Sequence, residues 1–502
     1  MKKNFAKAVL FAAIFVVALY AVTKIFTAKF TDNNCQSYTA AQLYELDKNS
    51  VEVVLGGSSQ AVFCVNAMEL YDKYGISAYG TGSPNQPTLV SLGWLREMNK
   101  TQNIKVAVLD TSQLFEEVDE SFYRQTLDTM HFSANKLDIL RQHIAESDTA
   151  DDLLSYLFPI IKYHDRWESL EEQDFTFSTA NSPMYMGTRM ADYVYSFDNY
   201  EDLMDDEEIA GESLDMIDYQ KSGLEKYAAY CKENGIELLL IKTPKEDWTE
   251  TKDKKTQQLA DELGVTYINY ASKEWGEKLG LNYYSDFKDP QHLNVRGADK
   301  VADALGKYLS EHYDLTDFRE TSPKSEEYME TYHAKRTEAY FLTNSDVVEY
   351  LKELKENYID QGDYDVLFEL TDDKICSVWT EEMQKALESC GIQTDIRTLK
   401  STAYTGSIVG GKVKETTGNE TEMQVTGKFG NGFPFVCTSI PSGNSASRAT
   451  FIINGVRKYS STKGLNIFLY NHTTGEILDT PTVAVCTDGK LRLNRPEEDK
   501  HQ

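Results

Sequence analysis

Basic residues are scarce in this chain relative to acidic ones. Lys and Arg total 51 against 80 Asp and Glu, a formal net charge of −29. That deficit argues against nucleic-acid binding, which needs clustered Lys and Arg to neutralise phosphates. It argues equally against broad adsorption to anionic lipid. Metal-ligand spacing is also missing. The chain has 7 cysteines and 8 histidines, but no CxxC pair and no Cys/His cluster, so neither a structural zinc nor another cofactor is expected. Cys376, Cys390, Cys437 and Cys486 crowd the last third. They either form one or two disulfides in an oxidising compartment or remain buried thiols. No internal repeat or low-complexity tract is found.

What is present points to a folded, multi-domain chain. Its 502 residues are 41% apolar, enough for two or three cores. Lys2, Lys3 and Lys7 precede an uncharged run from Ala8 to Val22, continued by Thr23, Lys24, Ile25 and Phe26. With Lys24 snorkelling, this approaches the roughly 20 residues of a membrane-spanning helix. Positive charge before the span places the N-terminus in the cytoplasm and the bulk outside. No A-x-A cleavage site follows, so an uncleaved anchor over 1–27 is favoured over a cleaved signal peptide.

Residues 28–50 read as a polar stalk. From Val51 the pattern alternates. Strands are expected at 51–55, 76–79, 104–109, 236–241 and 265–268, and helices at 61–74, 87–98, 216–234, 254–263 and 298–312. Alternation of this kind implies a parallel sheet with helices on both faces and a site at the carboxyl ends of its strands. Residues 115–215 break the rhythm and read as a mostly helical cap inserted in a domain spanning 51–312. A charged linker with helix follows at 313–345. A second domain at 346–490, α+β or a β-sandwich, has helices at 347–358 and 381–390. Its strands are expected at 366–370, 450–453, 465–470 and 483–485. Gly391 is expected just past a helix end and Asn454-Gly455 in a turn. The tail 491–502 is charged.

Three segments carry chemistry. Gly56-Gly57-Ser58-Ser59-Gln60 lies between a strand and a helix, where a serine is exposed beside helix N-terminal N–H groups. Read alone, it is equally an N-cap. Tyr79-Gly80-Thr81-Gly82-Ser83-Pro84-Asn85-Gln86-Pro87 can bring a backbone N–H close to a carbonyl, or simply turn. Asp289-Pro290-Gln291-His292-Leu293-Asn294-Val295-Arg296-Gly297 precedes a helix. There a carboxylate three residues before an imidazole can fix its tautomer and leave the other nitrogen to take a serine proton.

Together these segments resemble the SGNH/GDSL hydrolase superfamily over about residues 50–312. In particular they resemble its exported branch of D-alanyl-lipoteichoic-acid biosynthesis and polysaccharide O-acetylation proteins. The resemblance implies Ser59 as nucleophile, His292 as base and Asp289 as its partner, with the Ser59 and Gly82 N–H groups as oxyanion donors. It implies an extracytoplasmic O-acyl esterase or acyltransferase, beside a multispanning membrane acyltransferase. The substrate would be a cell-surface polysaccharide or a teichoic-acid-type polymer. The sequence departs from that pattern twice. Leu109-Asp110-Thr111-Ser112 replaces the G-x-N-D block, leaving Asn85 or Gln86 as substitute donors, and Gly80 stands where an asparagine is common. These departures keep open a non-catalytic assembly or glycan-binding protein on the same fold. In the cap, His164 and Arg166 either border the cleft or belong to cap packing beside Trp167. The segment 464–479 resembles the interleukin-like EMT-inducer (ILEI/PANDER) family, which implies a binding module. In the domain at 346–490, Trp379, Tyr404 and Phe435 either stack on sugars or fill the core.

Overall fold

Five short apolar runs pair as a parallel sheet because each is followed by a helix that returns the chain to the same edge. In the computed structural model they are β1 (Val53–Gly56), β2 (Ala78–Gly80), β3 (Val106–Asp110), β4 (Glu237–Lys242) and β5 (Thr266–Asn269). Their order is β2-β1-β3-β4-β5, and every pairing is parallel. The structure describes all residues except 1, 32–34, 148–149, 181, 204–213, 419–422, 441–448, 462 and 496–502. The chain forms two compact units, 1–191 with 199–336, and 192–198 with 337–502.

In the first unit the helices are α1 (Lys2–Phe26), α2 (Gln36–Glu45), α3 (Ser59–Phe63), α4 (Ala67–Tyr74) and α5 (Thr88–Met98). The cap adds α6 (Glu120–Leu127), α7 (Ala134–Glu146), α8 (Leu153–Leu157), α9 (Ile160–Tyr163) and α10 (Glu172–Thr176). Then come α11 (Asp218–Asn234), α12 (Glu250–Leu263), α13 (Lys273–Leu279), α14 (Val295–His312), α15 (Phe318–Thr321) and α16 (Glu326–Leu342), whose residues after Arg336 count with the second unit. Val54, Ala107, Leu109, Leu238 and Leu240 point from the sheet into one core with Leu92, Trp94, Leu224, Tyr227 and Leu259 of α5, α11 and α12. The intervening Val53, Leu55, Val106, Val108, Leu239 and Ile241 face the other way and are also buried. Helices α4 and α14 pack tightly: a Cβ on Gly306 would lie 2.4 Å from the Tyr74 ring.

The strands begin one or two residues later than their apolar runs suggest. Val51 is fully buried, yet its N–H donates to Gln102 Oε1 rather than to a neighbouring strand. The helix expected at 61–74 is broken, because Asn66 starts a new one by accepting from the Met68 N–H. Residues 28–50 are not a stalk. Helix α2 buries Gln36, Ser37, Thr39, Ala40 and Leu43, and Tyr79 Oη donates to the Thr39 carbonyl at 2.7 Å.

The cap is helical only as far as Thr176. The described residues of 177–199 are irregular apart from a bridge between Tyr185 and Thr188 and a bridge position at Tyr195, and a 3-10 turn follows at Tyr200–Leu203. Pro183 and Gly187, the latter at φ +72, interrupt any helix there. The remainder of the expected cap, 204–213, lies outside the described residues. Helix α16 is held rather than free. Arg336 pairs with Asp299 at 2.7 Å and Glu69 at 3.1 Å.

Two further strands, β6 (Phe287–Asp289) and β7 (His292–Leu293), form a small antiparallel ribbon before α14. In the second unit come α17 (Val347–Leu354), β8 (Tyr364–Leu370), α18 (Glu381–Ser389), β9 (Ala403–Val409), β10 (Lys412–Gly418), β11 (Met423–Lys428) and β12 (Pro434–Ser439). They are followed by β13 (Ala449–Ile453), β14 (Val456–Ser461), β15 (Leu465–Asn471), β16 (Glu476–Asp479), β17 (Thr482–Val485) and β18 (Leu491–Asn494). Strands β10-β9-β8-β15-β17-β18 make one antiparallel sheet, with β16 paired to β15, and β11 to β14 make another. Val366, Phe368, Ile467 and Leu469 face α17 and α18. Leu367, Phe468 and Tyr470 face the second sheet. The unit therefore has α+β composition and sheet-on-sheet packing at once. Its cysteines, like Cys35, Cys64 and Cys231, are free thiols.

Candidate active site

The sheet order has a single reversal, between β1 and β3, the point at which sheets of this kind bind their ligands. The Gly57 to Ser59 turn stands at that point. Gly57 has φ +132, and a Cβ on it would lie 3.1 Å from Asp110 Cβ at the end of β3. Ser58 is extended in the N-cap position of α3, and Ser59 is the first helical residue, half-buried.

The second half of the site comes from the β6–β7 ribbon. Asp289 and His292 are cross-strand partners, so their side chains lie on one face. His292 Nδ1 is 2.8 Å and 3.0 Å from the two Asp289 carboxylate oxygens. Its Nε2 is 2.7 Å from Ser59 Oγ. A carboxylate only accepts, so Nδ1–H donates to Asp289 and Nε2 accepts from the Ser59 hydroxyl.

The remainder of that sequence block has local work. Asn294 Oδ1 accepts from the Arg296 and Gly297 N–H groups at the start of α14. Its Nδ2 donates to the Ser285 and Phe287 carbonyls at 2.6 and 3.2 Å, bracing β6. A Cβ on Gly297 would lie 2.4 Å from the Asp286 carbonyl, so the helix approaches the ribbon only with glycine there.

The charges around His292 oppose one another. Burial disfavours the imidazolium most, Asp289 favours it, and Lys288 and Lys245 disfavour it again. The balance holds the His292 pKa below its ordinary value, leaving a neutral ring able to accept a proton. Burial also disfavours the Asp289 carboxylate. The hydrogen bond and charge of His292, with Lys288, outweigh that and hold its pKa well below the usual range. Lys288 Nζ lies 3.0 Å from Asp289 Oδ2 and 4.1 Å from the Phe63 ring centroid. Phe63 meets His292 edge-on at 5.4 Å.

Gly82 touches the serine turn: a Cβ there would lie 2.4 Å from the Ser58 carbonyl. Among the described residues, no protein acceptor takes the N–H of Ser59 or Gly82. The carboxamides named as substitute donors are not joined to the Ser59–His292 pair. Gln86 is fully buried. Its Oε1 accepts from Ser83 Oγ and its Nε2 donates to Ser91 Oγ, at 3.1 and 2.9 Å. Asn85 is exposed with φ +43, and its Oδ1 accepts from Gln113 Nε2 at 3.4 Å. Gly80 serves packing. A Cβ on it would lie 2.5 Å from the Gly187 carbonyl.

His164 and Arg166 are likewise engaged elsewhere. Arg166 holds both Asp174 oxygens at 2.9 Å and donates to the Phe26 carbonyl at 2.8 Å. His164 is exposed, with Nδ1 3.0 Å from the Ile161 carbonyl. In the second unit, Trp379, Tyr404 and Phe435 are buried core residues, which removes them as sugar-stacking faces.

Sequence reasoning missed the brace beneath the serine. Gln60 Nε2 donates to the Gln291 carbonyl at 2.7 Å, one residue before His292. Its Oε1 accepts from Thr243 Oγ1 at 2.7 Å and from the Cys64 thiol at 3.1 Å. Thr243 also approaches buried Asp110, whose Oδ2 lies 3.0 Å from its N and 2.9 Å from its Oγ1. The Thr243 hydroxyl has one proton to share between those two oxygens. The ends of β3 and β4, the serine helix and the histidine ribbon are thus joined through one carboxamide. The only sequence signal was position: Thr243 and Asp110 fall at strand carboxyl ends.

No family model matches this sequence, and no curated protein matches it. Among solved structures, a GDSL-like lipase from Bacteroides thetaiotaomicron aligns with 55% of this chain and 96% of its own, at 12% identity and a TM-score of 0.26.

Proposed function

We propose that this chain is a serine-dependent O-acyl esterase or O-acyltransferase. The reading is carried by the chain of contacts from Ser59 Oγ through His292 to Asp289. His292 takes the Ser59 proton as Oγ attacks an acyl carbonyl carbon. The oxyanion accepts from the Ser59 and Gly82 N–H groups, which have no competing acceptor among the described residues. Asp289 stabilises the imidazolium while the carbonyl re-forms, the ester C–O bond breaks, and the departing alcohol takes the proton from Nε2. Water or a sugar hydroxyl then repeats the sequence on the acyl-serine, giving hydrolysis or transfer.

Location and substrate extend the proposal. Within α1, Asn4–Phe26 is long and apolar enough to cross a membrane, which supports an anchor with the remaining chain outside the cytoplasm. An anchored acyl-enzyme suits transfer to a cell-surface glycan or teichoic-acid-type polymer, with a multispanning membrane acyltransferase as the acyl source. The second unit is proposed as its binding module.

The test is hydrolysis of p-nitrophenyl acetate by the wild type and by Ser59→Ala. Loss of a serine acting with its base typically costs at least about 10³ in kcat, and that loss is expected here. Added acceptor sugar that diverts acetyl from water identifies a transferase. A second reading, a non-catalytic assembly or glycan-binding protein, is favoured by one observation: Gln86 is bonded to Ser83 and Ser91 rather than to the Ser59–His292 pair. It predicts equal background rates for both proteins.

A further inference from the structure

The cap carries apolar surface that its own packing does not cover. Beyond α1, the exposed large apolar side chains of the first unit are Phe132, Leu154, Phe158, Ile161, Trp167 and Phe175, among the described residues. All but Phe132 fall within 154–175, over α8, α9, a 3-10 turn at His164–Glu168 and α10. Trp167 is 66% exposed and Phe175 61%. Clustered exposure of this kind marks an interaction surface rather than ordinary scatter.

Its position decides what covers it. Arg166, next to Trp167, donates to the carbonyl of Phe26, the last residue of α1, at 2.8 Å. Its other end is clamped on Asp174 of α10. Thr31 Oγ1, just after α1, donates to Gln173 Oε1 at 2.8 Å. The segment is therefore tied to the C-terminal end of the apolar helix. With 25 residues, α1 is about 37 Å long at ~1.5 Å per residue, against roughly 30 Å of hydrocarbon. If its apolar body spans the bilayer, its end emerges among the headgroups, and a turn bonded to that end lies at the same depth. Aromatic and aliphatic side chains are favoured there.

We propose that residues 154–175 seat the cap on the bilayer that α1 crosses, with Trp167, Phe158 and Ile161 entering the interface. This rests on the anchor part of the proposed function and not on its chemistry.

The full chain reconstituted into vesicles of pure phosphatidylcholine provides the test. Trp167 suits it because Trp94, Trp248 and Trp379 are buried and Trp275 packs on Tyr270. Lipids brominated near the headgroup end of their chains should quench a fluorescence component that Trp167→Phe removes. Aqueous iodide should quench that component weakly. Retention of the chain through an alkaline wash reports α1 separately, and Ser59-dependent turnover reports the chemistry. A retained chain whose Trp167 ignores bromolipid and responds fully to iodide overturns the seat. Loss of the chain in the wash overturns it together with the anchor. Shielding of Trp167 in native membranes alone assigns the face to a protein partner and also overturns it.

Discussion

His292 is set by opposing neighbours: burial and two lysines push its pKa down, while Asp289 pulls it up. Because the balance lies on the low side, the neutral ring is favoured, and kcat/KM should rise with pH along an acid limb centred below that of an unperturbed imidazole. Removing a depressing charge raises the pKa, so Lys288→Gln should move that limb to higher pH, measured as a pH profile of ester hydrolysis. A limb that stays in place, or moves down, contradicts the charge assignment. Gln60 touches no reacting atom, yet it ties the serine helix to the histidine ribbon. Gln60→Ala should lower kcat by up to about 10², since small misplacements of reacting groups cost that much. Its KM and acid limb should change little, which separates positioning from a direct role in proton transfer.

At the level of elements, the site depends on how α14 starts. Asn294 caps that helix and braces β6 at the same time. Asn294→Ala should cost about 1–3 kcal/mol in thermal or denaturant unfolding, a cap plus an unpaired buried carbonyl. Gly297→Ala should reduce activity more than stability, because the added Cβ meets the Asp286 carbonyl and tilts the ribbon that carries Asp289 and His292. The block from Asp289 to Gly297 was legible in sequence because its contacts are local. The strands of the parallel sheet were legible for a related reason, reading as short apolar runs, whereas β9, β10, β11, β12, β14, β16 and β18 of the second unit were not expected, the last falling in what reads as a charged tail. Helix α2 was not legible, because its burial includes polar residues such as Gln36 and Thr39, which give no apolar period to read. The Gln60–Thr243–Asp110 brace was hidden too, since it joins residues up to 183 positions apart.

The two units answer pH differently. In the second, Glu369 is fully buried, its pKa pushed up to about 8 by desolvation against hydrogen bonds from Thr371 and Asn466. Its Oε1 and the Thr405 Oγ1 across the strand pair have no hydrogen-bond partner among the described residues. A carboxyl whose folded pKa exceeds its unfolded one binds its proton more tightly when folded. The stability it lends is full at acid pH and is lost as pH rises through about 8. Glu369→Gln should flatten that dependence of the second unit's melting on pH. The whole account still turns on a single proton moving from one hydroxyl to one ring. Labelling of the intact protein by a fluorophosphonate, read by peptide mass spectrometry, tests that most directly. The account predicts stoichiometric modification at Ser59, lost in His292→Ala and after denaturation. A folded wild-type protein whose Ser59 stays unmodified, or reacts no faster than in His292→Ala, would contradict it.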